Sequence, residues 1–298
     1  MGLMIKELLA VAERRLSDAS CMDARLDAEL LLCDLLQKDR SFLFSHVGDD
    51  LDDRRCERYF ELIDTRASGK PLQYILGSQE FMGLRFAVNE DVLIPRQDTE
   101  TLVEMALDYL KKTKMPLGGF EILDLCCGSG AIAICLAYYL ESIKVKIIAS
   151  DYSEKALLVA KENASGYRPA KGITFVQGDL FEVFPKNKKG KGKKQFDLIV
   201  SNPPYIRSDV IPTLQREVAL FEPMMALDGG EDGLDFYRRI AKDAGAYLKK
   251  GGLLLLEIGH DQAESVRRLL EDSGDFEDTG VVKDLAGKDR IVWANIRK

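Results

Sequence analysis

Residues 196–205 read FDLIVSNPPY, and this run is the clearest indication of the fold. Its first half is short, apolar and rich in Leu, Ile and Val, which is typical of a buried strand in a parallel sheet. Pro203 and Pro204 end the strand and hold the following backbone in an extended turn. Asn202 therefore lies at the carboxyl end of a strand, which is the edge where open α/β sheets bind their ligands.

The Asn-Pro-Pro-Tyr side chains suit a planar group that carries an –NH2. Asn202 offers one carbonyl acceptor and one amino donor, which are the groups needed to hold an amide or a nucleobase. The Pro203 carbonyl can accept a second N–H, and Tyr205 offers a flat face for stacking. A strand that merely ends in a proline-rich turn with an Asn cap would leave the same pattern.

A second strand is followed by a glycine turn at residues 121–130, which read EILDLCCGSG. Residues 131–140 then have a helical pattern, so the turn would bring backbone N–H groups and a helix N-terminus close to a ligand. Residues 145–151 predict the next strand, which ends in Asp151. A carboxylate there can accept hydrogen bonds from both ribose hydroxyls, so the turn and the acid together predict a nucleoside cofactor.

The residues leave the identity of that cofactor open. Residues 128–133 fit the relaxed dinucleotide pattern, so NAD and a dehydrogenase have to be considered. Asp124, at the end of the first strand, better suits the cationic end of adenosylmethionine, and Asp179 is placed to reach the exocyclic amine of an adenine. Asn-Pro-Pro-Tyr has no obvious task in hydride transfer and a clear one in methyl transfer to nitrogen.

The order Asp-x-x-x-Gly-x-Gly, Asp151, Asp179 and Asn-Pro-Pro-Tyr resembles the class I adenosylmethionine-dependent amino-methyltransferases. The flanking sequence is similar to the bacterial peptide chain release factor glutamine methyltransferases. The blocks that carry this similarity are PLQYILG at 71–77, EFMGL at 80–84, VLIPRQDTE at 92–100, ALDGGEDGL at 226–234, LEIG at 256–259 and AGKDR at 286–290.

The resemblance implies methyl transfer from S-adenosyl-L-methionine to the side-chain amide nitrogen, N5, of the glutamine in the Gly-Gly-Gln loop of class 1 release factors. S-adenosyl-L-homocysteine is then the product. Asn202, Pro203 and Tyr205 are expected to be catalytic, and Pro204 completes the substrate site. The residues expected at the cofactor are Asp124, Cys126, Cys127, Gly128, Ser129, Gly130, Asp151, Asp179, Leu180 and Asn202.

Two positions depart from the pattern of the resembled family. Cys126 stands where that family usually has Gly, which adds a side chain at the tight turn. Gln97 stands where it usually has Pro, which loosens a loop on the substrate side. Because Gly128 and Gly130 remain, we expect cofactor binding to survive.

Two other functions fit parts of the sequence. An adenine-N6 methyltransferase acting on DNA or RNA could use the same motif and would have to flip its base. The net charge of −7 and the lack of a recognisable basic recognition domain argue against it. A catalytically silent adenosylmethionine-binding partner protein is the other alternative, and the intact motif argues against that.

Composition indicates a cytoplasmic enzyme with a sizeable core. The chain has 298 residues, 46% of them hydrophobic, with no membrane-spanning apolar stretch and no signal segment. Six cysteines without C-x-x-C spacing indicate free thiols. With only His46 and His260, far apart in sequence, no metal site is expected. We also expect a monomer without membrane contact or stable nucleic-acid binding.

One basic run, KNKKGKGKK at residues 186–194, lies between the Asp179 strand and the Asn202 strand. Its composition is typical of a disordered surface insertion. Alternatively, it steers an RNA-rich or acidic partner electrostatically.

Periodicity divides the chain into three parts. Residues 1–72 predict a small helical bundle, which in the resembled family recognises the protein substrate. Residues 73–94 predict a hairpin connector. Residues 95–298 predict a doubly wound, seven-stranded α/β domain of the Rossmann-like class I methyltransferase type. Its strands are expected at 121–126, 145–151, 173–178, 196–202, 252–258, 276–283 and 290–296.

Overall fold

The structure is a computed structural model that describes residues 3–187, 190 and 192–297. Its helices and strands alternate as the sequence predicts. The helices are α1 Ile5–Asp18, α2 Ala24–Leu36, α3 Arg40–Ser45, α4 Asp53–Ala67, α5 Leu72–Leu76, α6 Glu100–Lys112, α7 Ala131–Tyr139, α8 Glu154–Ser165, α9 Arg216–Phe221, α10 Met224–Leu227, α11 Asp235–Tyr247 and α12 Ala263–Asp272. The strands are β1 Leu3–Met4, β2 Asp50–Leu51, β3 Ser78–Phe81, β4 Leu84–Ala87, β5 Phe120–Leu125, β6 Val145–Asp151, β7 Thr174–Gln177, β8 Phe196–Ser201, β9 Leu248–Glu257, β10 Phe276–Lys283 and β11 Asp289–Ile296.

The first of two compact units comprises the residues up to Ser78 together with Leu214–Phe221. Its helices α1, α2 and α4 pack their apolar stripes into one core, with Leu8 fully buried. Tyr59 in this core donates its hydroxyl hydrogen bond to the Ala28 carbonyl at 2.9 Å, which satisfies the one polar group of that side chain. The predicted helical bundle is confirmed.

A buried ion-pair cluster holds the α9 segment in this unit. Arg66 Nε lies 2.7 Å from Asp27 Oδ2, and Arg66 Nη2 lies 2.9 Å from Glu217 Oε2. Buried charges need such partners because they have lost their water. Glu217 therefore ties a segment from late in the chain to the N-terminal bundle. The functional division at 1–72, 73–94 and 95–298 stays a prediction.

The second unit is built on a seven-stranded sheet in the order β10-β11-β9-β8-β5-β6-β7. The pairs from β9 through β7 are parallel, whereas β11 runs antiparallel to both of its neighbours. Two apolar clusters contain the buried residues of this sheet and its helices. The predicted doubly wound α/β fold is confirmed.

The chain reverses its direction across the sheet between β5 and β8. From β5 it runs outward through β6 to β7, and it then returns to place β8 on the other side of β5. The carboxyl ends of β5 and β8 therefore border the switch point, where open α/β sheets bind ligands. The glycine turn follows β5 and Asn202 follows β8, so both lie at this point.

The predicted strands agree closely with the observed ones, with one exception. Strand β9 begins at Leu248 and not at residue 252. The register against β8 shifts within it, because Phe196 pairs with Leu248 and Leu198 pairs with Leu253. Gly251, at a φ of +74°, lies inside this irregularity. Gly251 and Gly252 therefore lie at a bulge within a longer strand.

The predicted hairpin forms from β3 and β4. Its two turn residues, Met82 and Gly83, have φ values of +51° and +69°. A two-residue turn with positive φ at both positions matches the right-handed twist of the flanking strands.

Candidate active site

A cavity of about 600 Å³ lies at the carboxyl ends of the parallel strands, a volume that suits a nucleoside-sized ligand. Its walls are the run before α6, the glycine turn, the ends of β6 and β8, and the segment around α10. The predicted residues that line it are Cys126, Cys127, Gly128, Ser129, Asp151, Asp179, Asn202 and Pro204. The predicted residues that do not belong to the described lining are Asp124, Gly130, Leu180, Pro203 and Tyr205.

The glycine turn is tight because several of its residues adopt the left-handed conformation. Cys126 has a φ of +58°, Gly128 of +52° and Gly130 of +79°. A Cβ on Gly130 would meet side-chain atoms of Ile134 and Ala160 at 3.1 Å. Gly130 thus lets α7 and α8 pack closely, while Cys126 occupies a conformation that favours glycine. This conformation explains why a side chain at position 126 is unusual.

Asp124 lies behind the glycine turn and is completely buried. Its Oδ2 accepts a hydrogen bond from the Ala133 N–H at 3.1 Å, in the first turn of α7. Its Oδ1 is buried with no hydrogen-bond partner in the described structure. Burial raises the pKa of this carboxyl well above its ordinary value, and the Ala133 hydrogen bond opposes that shift. The predicted contact with a cofactor's cationic end stays a prediction.

The other two acids line the cavity from neighbouring strands. Asp151 accepts hydrogen bonds from the Gly128 N–H at 2.8 Å and the Ser153 N–H at 2.9 Å, which fixes its orientation at the end of β6. Burial raises the pKa of Asp151, and these backbone hydrogen bonds lower it. Asp179 Oδ1 lies 2.7 Å from Arg239 Nη2, an ion pair that the sequence pattern did not reveal.

Tyr205 and Leu180 pack against one of the two apolar clusters of the sheet, and neither residue belongs to the described lining of the cavity. Burial raises the pKa of the Tyr205 hydroxyl to about 12. The Tyr205 carbonyl accepts a hydrogen bond from Gln262 Nε2 at 3.0 Å, which fixes the turn after Pro204. The predicted stacking of Tyr205 on a substrate stays a prediction.

Asn202 is held from behind by two residues that the sequence reasoning missed. Its Nδ2 donates a hydrogen bond to Thr99 Oγ1 at 3.3 Å. Glu257, the last residue of β9, is 1% exposed; burial raises its pKa, and hydrogen bonding by the Thr99 and Asn202 side chains lowers it. The sequence signal that could have indicated Glu257 is an acidic residue at the carboxyl end of β9, the strand next to β8.

A further ion pair shapes the wall of the cavity. Arg96 Nη2 lies 2.6 Å from Glu222 Oε1, whose side chain is 1% exposed. Arg96 follows Pro95 in the run before α6, and Glu222 precedes α10. Met224 and Met225 of α10 are more than half exposed and give the cavity an apolar rim. The cavity is thus lined by charged side chains such as Arg96 and Asp151, whereas its rim at α10 is apolar.

Gln97 begins a 3-10 turn, Gln97–Thr99, that leads into α6. The first residue of a helical turn is the position at which Pro is favoured, because its N–H needs no intrahelical partner. Gln keeps the same helical backbone, so this departure leaves Thr99 in place beside Asn202.

Lys188, Lys189 and Lys191 of the basic run lie outside the described residues. Within the described part of the run, Lys186 Nζ is 2.5 Å from Asp243 Oδ1 and Lys194 Nζ is 3.1 Å from Glu121 Oε2. The predicted steering role of the run stays a prediction.

Across residues 3–187, 190 and 192–297, no group of three or more His, Cys, Asp or Glu side chains could hold a metal ion. None of the helices found in the same residues combines the length and the apolar character that crossing a bilayer requires. The six cysteines are free thiols.

Fold and site together define a class of protein. A mostly parallel seven-stranded sheet with an antiparallel β11, and a glycine turn with acids at its switch point, is the class I methyltransferase fold. A family model described as a methyltransferase domain matches residues 118–275. A second one, described as the PrmC N-terminal domain, matches residues 7–77.

Similar proteins narrow the class to a family. The release factor glutamine methyltransferase of Clostridium botulinum is 41% identical over 98% of this chain and 99% of its own length. That of Moorella thermoacetica is 41% identical over 99% of this chain and 100% of its own length. The solved release factor-specific protein-(glutamine-N5) methyltransferase of Alicyclobacillus acidocaldarius is 32% identical, covers 72% of this chain and 100% of its own, and has a TM-score of 0.41.

The chain belongs to the release factor glutamine methyltransferase family. It is an enzyme, and the family predicted from the sequence motifs is confirmed.

Proposed function

We propose that this protein methylates the side-chain N5 of the glutamine in the Gly-Gly-Gln loop of class 1 peptide chain release factors, with S-adenosyl-L-methionine as the methyl donor. The observation that carries the proposal is the anchored amide of Asn202 in the cavity wall, whose Nδ2 donates to Thr99 Oγ1 at 3.3 Å. Because the amino end is held by the protein, the carbonyl end is left to accept a substrate N–H.

The residues around the glycine turn fit S-adenosyl-L-methionine. Asp124 Oδ1 is buried without a hydrogen-bond partner in the described structure, and a carboxylate oxygen behind this turn suits a cationic amine. Asp151 and Asp179 line the cavity, and each of their oxygens can accept a second hydrogen bond, from ribose hydroxyls and an adenine amine respectively. When bound, this cofactor supplies an electrophilic methyl group on a positively charged sulfur.

The chain's own residues perform the positioning that this reaction requires. An amide nitrogen is a poor nucleophile because its lone pair is delocalised into the carbonyl. As that nitrogen gains positive charge, its two hydrogens need acceptors that are already in place. Asn202 Oδ1 accepts one and the Pro203 carbonyl accepts the other, and the Pro-Pro turn keeps both from rearranging during the reaction.

No strong general base is needed in this scheme. The substrate nitrogen keeps both of its hydrogens while it bonds to the methyl group and the methyl–sulfur bond breaks, and it then loses one hydrogen as a proton to solvent. Tyr205 packs against the apolar side of the sheet at the end of the Asn-Pro-Pro-Tyr turn. The cavity holds the reacting atoms in line, which supplies much of the rate.

The N-terminal bundle is assigned to recognition of the release factor. Release factors work at the ribosome, so the proposed site of action is the cytoplasm, and the proposed active form is a monomer. The bundle has its own apolar core, and its apolar side chains Met22, Phe44 and Val47 are exposed at its surface. Exposed apolar side chains of this kind can contact a protein partner.

Transfer of labelled methyl groups to three samples tests the proposal. The samples are a purified class 1 release factor, the same factor with its Gly-Gly-Gln glutamine changed to alanine, and a mixed DNA and RNA pool. The proposal predicts label in the first sample only. Label in the nucleic acid would contradict it and would indicate adenine methylation, and equal label in both release factors would contradict the assigned acceptor.

A further inference from the structure

Glu257 lies beside Asn202 and has no role in the reaction as proposed above. In the parallel pair of β8 and β9, Ser201 is opposite Leu256, so Asn202 and Glu257 are the next residues on the two strands. Glu257 is 1% exposed. Its backbone carbonyl accepts the Tyr237 hydroxyl at 2.7 Å, which fixes the end of the strand. The carboxyl group is therefore held behind the cavity wall.

The hydrogen bonds around Glu257 have a direction. Asn202 Nδ2 donates to Thr99 Oγ1 at 3.3 Å; burial raises the pKa of the neighbouring Glu257 carboxyl group, and hydrogen bonding by the Thr99 and Asn202 side chains lowers it. An ionised carboxylate can only accept hydrogen bonds. The amino hydrogens of Asn202 must then point inward, toward Thr99 and Glu257, and its carbonyl must point the other way.

We propose that Glu257, in its ionised form, is a positioning residue that fixes the side-chain amide of Asn202 with its carbonyl toward the substrate. This inference rests on the proposed function, in which Asn202 Oδ1 accepts the substrate N–H. A protonated Glu257 carries an O–H donor and can donate to Asn202 Oδ1 instead. The amide then loses the arrangement that receives the substrate, so turnover depends on the proton of Glu257.

The charged and titratable groups around Glu257 come from several elements. Arg290 of β11 and Asp98 of the 3-10 turn act on it, and Tyr205 after β8 and Tyr237 of α11 face it. Burial and the charge of Asp98 raise the pKa of Glu257, and Thr99, Arg290 and Asn202 lower it, so that the resulting pKa is about 7.

The unpartnered oxygen of Glu257 supports the same assignment. Glu257 Oε2 is buried and has no hydrogen-bond partner in the described structure. A merely structural acid at this place would be expected to have both oxygens satisfied, since a buried acceptor without a donor is costly.

The pH dependence of kcat in the Glu257→Gln variant tests the proposal, measured with the release factor at saturating cofactor. For the parent we expect kcat to rise about tenfold between roughly pH 6 and 8, as one group with a pKa near 7 ionises. For Glu257→Gln we expect a lower kcat without that rise and an unchanged Kd for S-adenosyl-L-methionine. The matched control Glu277→Gln, at an exposed position of β10, should keep the parent profile.

A second pair of variants keeps the test decisive if Glu257→Gln folds poorly. Thr99→Val removes the hydroxyl between Asn202 and Glu257 and should lower kcat about tenfold, whereas Thr99→Ser should recover most of the loss. A parent-like kcat and pH profile in both Glu257→Gln and Thr99→Val would overturn the assignment. If Asn202→Ala also kept full kcat, the proposed function itself would fail; if Asn202→Ala lost turnover, only the role of Glu257 would fail.

Discussion

Single residues at the switch point combine backbone strain with burial. Cys126 adopts a φ of +58°, a conformation in which an L side chain crowds the following carbonyl. Glu257 keeps a carboxyl group that is 1% exposed. Both features cost stability, and both lie within the residues that form or support the cavity wall. Strain and buried charge at such places are typical of functional sites.

A β-branched residue at position 126 should destabilise the protein strongly. We expect Cys126→Val to lower the free energy of unfolding by about 2 kcal/mol or more, because branching at Cβ is poorly tolerated at positive φ. Cys126→Gly should stay within about 1 kcal/mol of the parent, because relief of strain offsets lost packing. Urea unfolding measures both. The control Cys135→Val, inside α7, should cost less than Cys126→Val; equal costs would contradict the backbone argument.

Glu257 should also make stability depend on pH. Its folded pKa of about 7 lies above its ordinary value of 4.5, so the folded state binds its proton more tightly than the unfolded state does. The protonated form thus contributes stability below about pH 4.5, and this contribution is lost as the pH rises through about 7. Relative to the parent, Glu257→Gln should gain about 3 kcal/mol over that window, measured by denaturant unfolding at several pH values. A constant difference between the two proteins would contradict this pKa.

Among the helices, a largely buried group of ion pairs holds α9 against the N-terminal bundle. Arg66 of α4 pairs with Asp27 of α2 and Glu217 of α9, and the Arg66 side chain is 8% exposed. In the same helix, Arg58 pairs with Glu61 at the surface, where both side chains are more than half exposed. The two arginines thus offer a comparison of buried and exposed ion pairs within one helix.

Arg66→Ala should cost about 3 kcal/mol or more in the free energy of unfolding of the N-terminal unit, because it leaves the carboxylate of Asp27 buried without its partner. Arg58→Ala should cost less than about 1 kcal/mol, since exposed ion pairs are screened by water. Guanidinium unfolding followed by far-UV circular dichroism provides the measurement. Similar costs for the two variants would show that the Arg66 cluster does not anchor α9.

For the whole molecule, the sequence was most informative where structure is local. Short apolar runs predicted the parallel strands, and glycine and proline marked the turns after β5 and β8. Because β5 and β8 carry the two motifs, the edge of the sheet that holds the site followed as well. The length of β9 did not, because a bulge at Gly251 depends on the register with β8.

Residues that support the site from a distance could not be predicted in this way. Thr99 and Asn202 are 103 positions apart, and Arg96 and Glu222 are 126 apart. Such pairs depend on how the run before α6 folds against the sheet, which has no periodic signature. Arg239 was missed for the same reason, since it lies on α11 and its partner Asp179 follows β7.

The proposed reaction depends on the Asn202 amide, which is held at the switch point. The most direct measurement compares single-turnover rates of the parent and Asn202→Ala on a release factor, with the Kd for S-adenosyl-L-methionine measured in parallel. We expect a similar Kd and a rate lower by about 10²–10³-fold, the cost of removing one positioned group at a reacting centre. If the variant binds the cofactor and transfers the methyl group at the parent rate, the Asn202 amide has no role in the reaction.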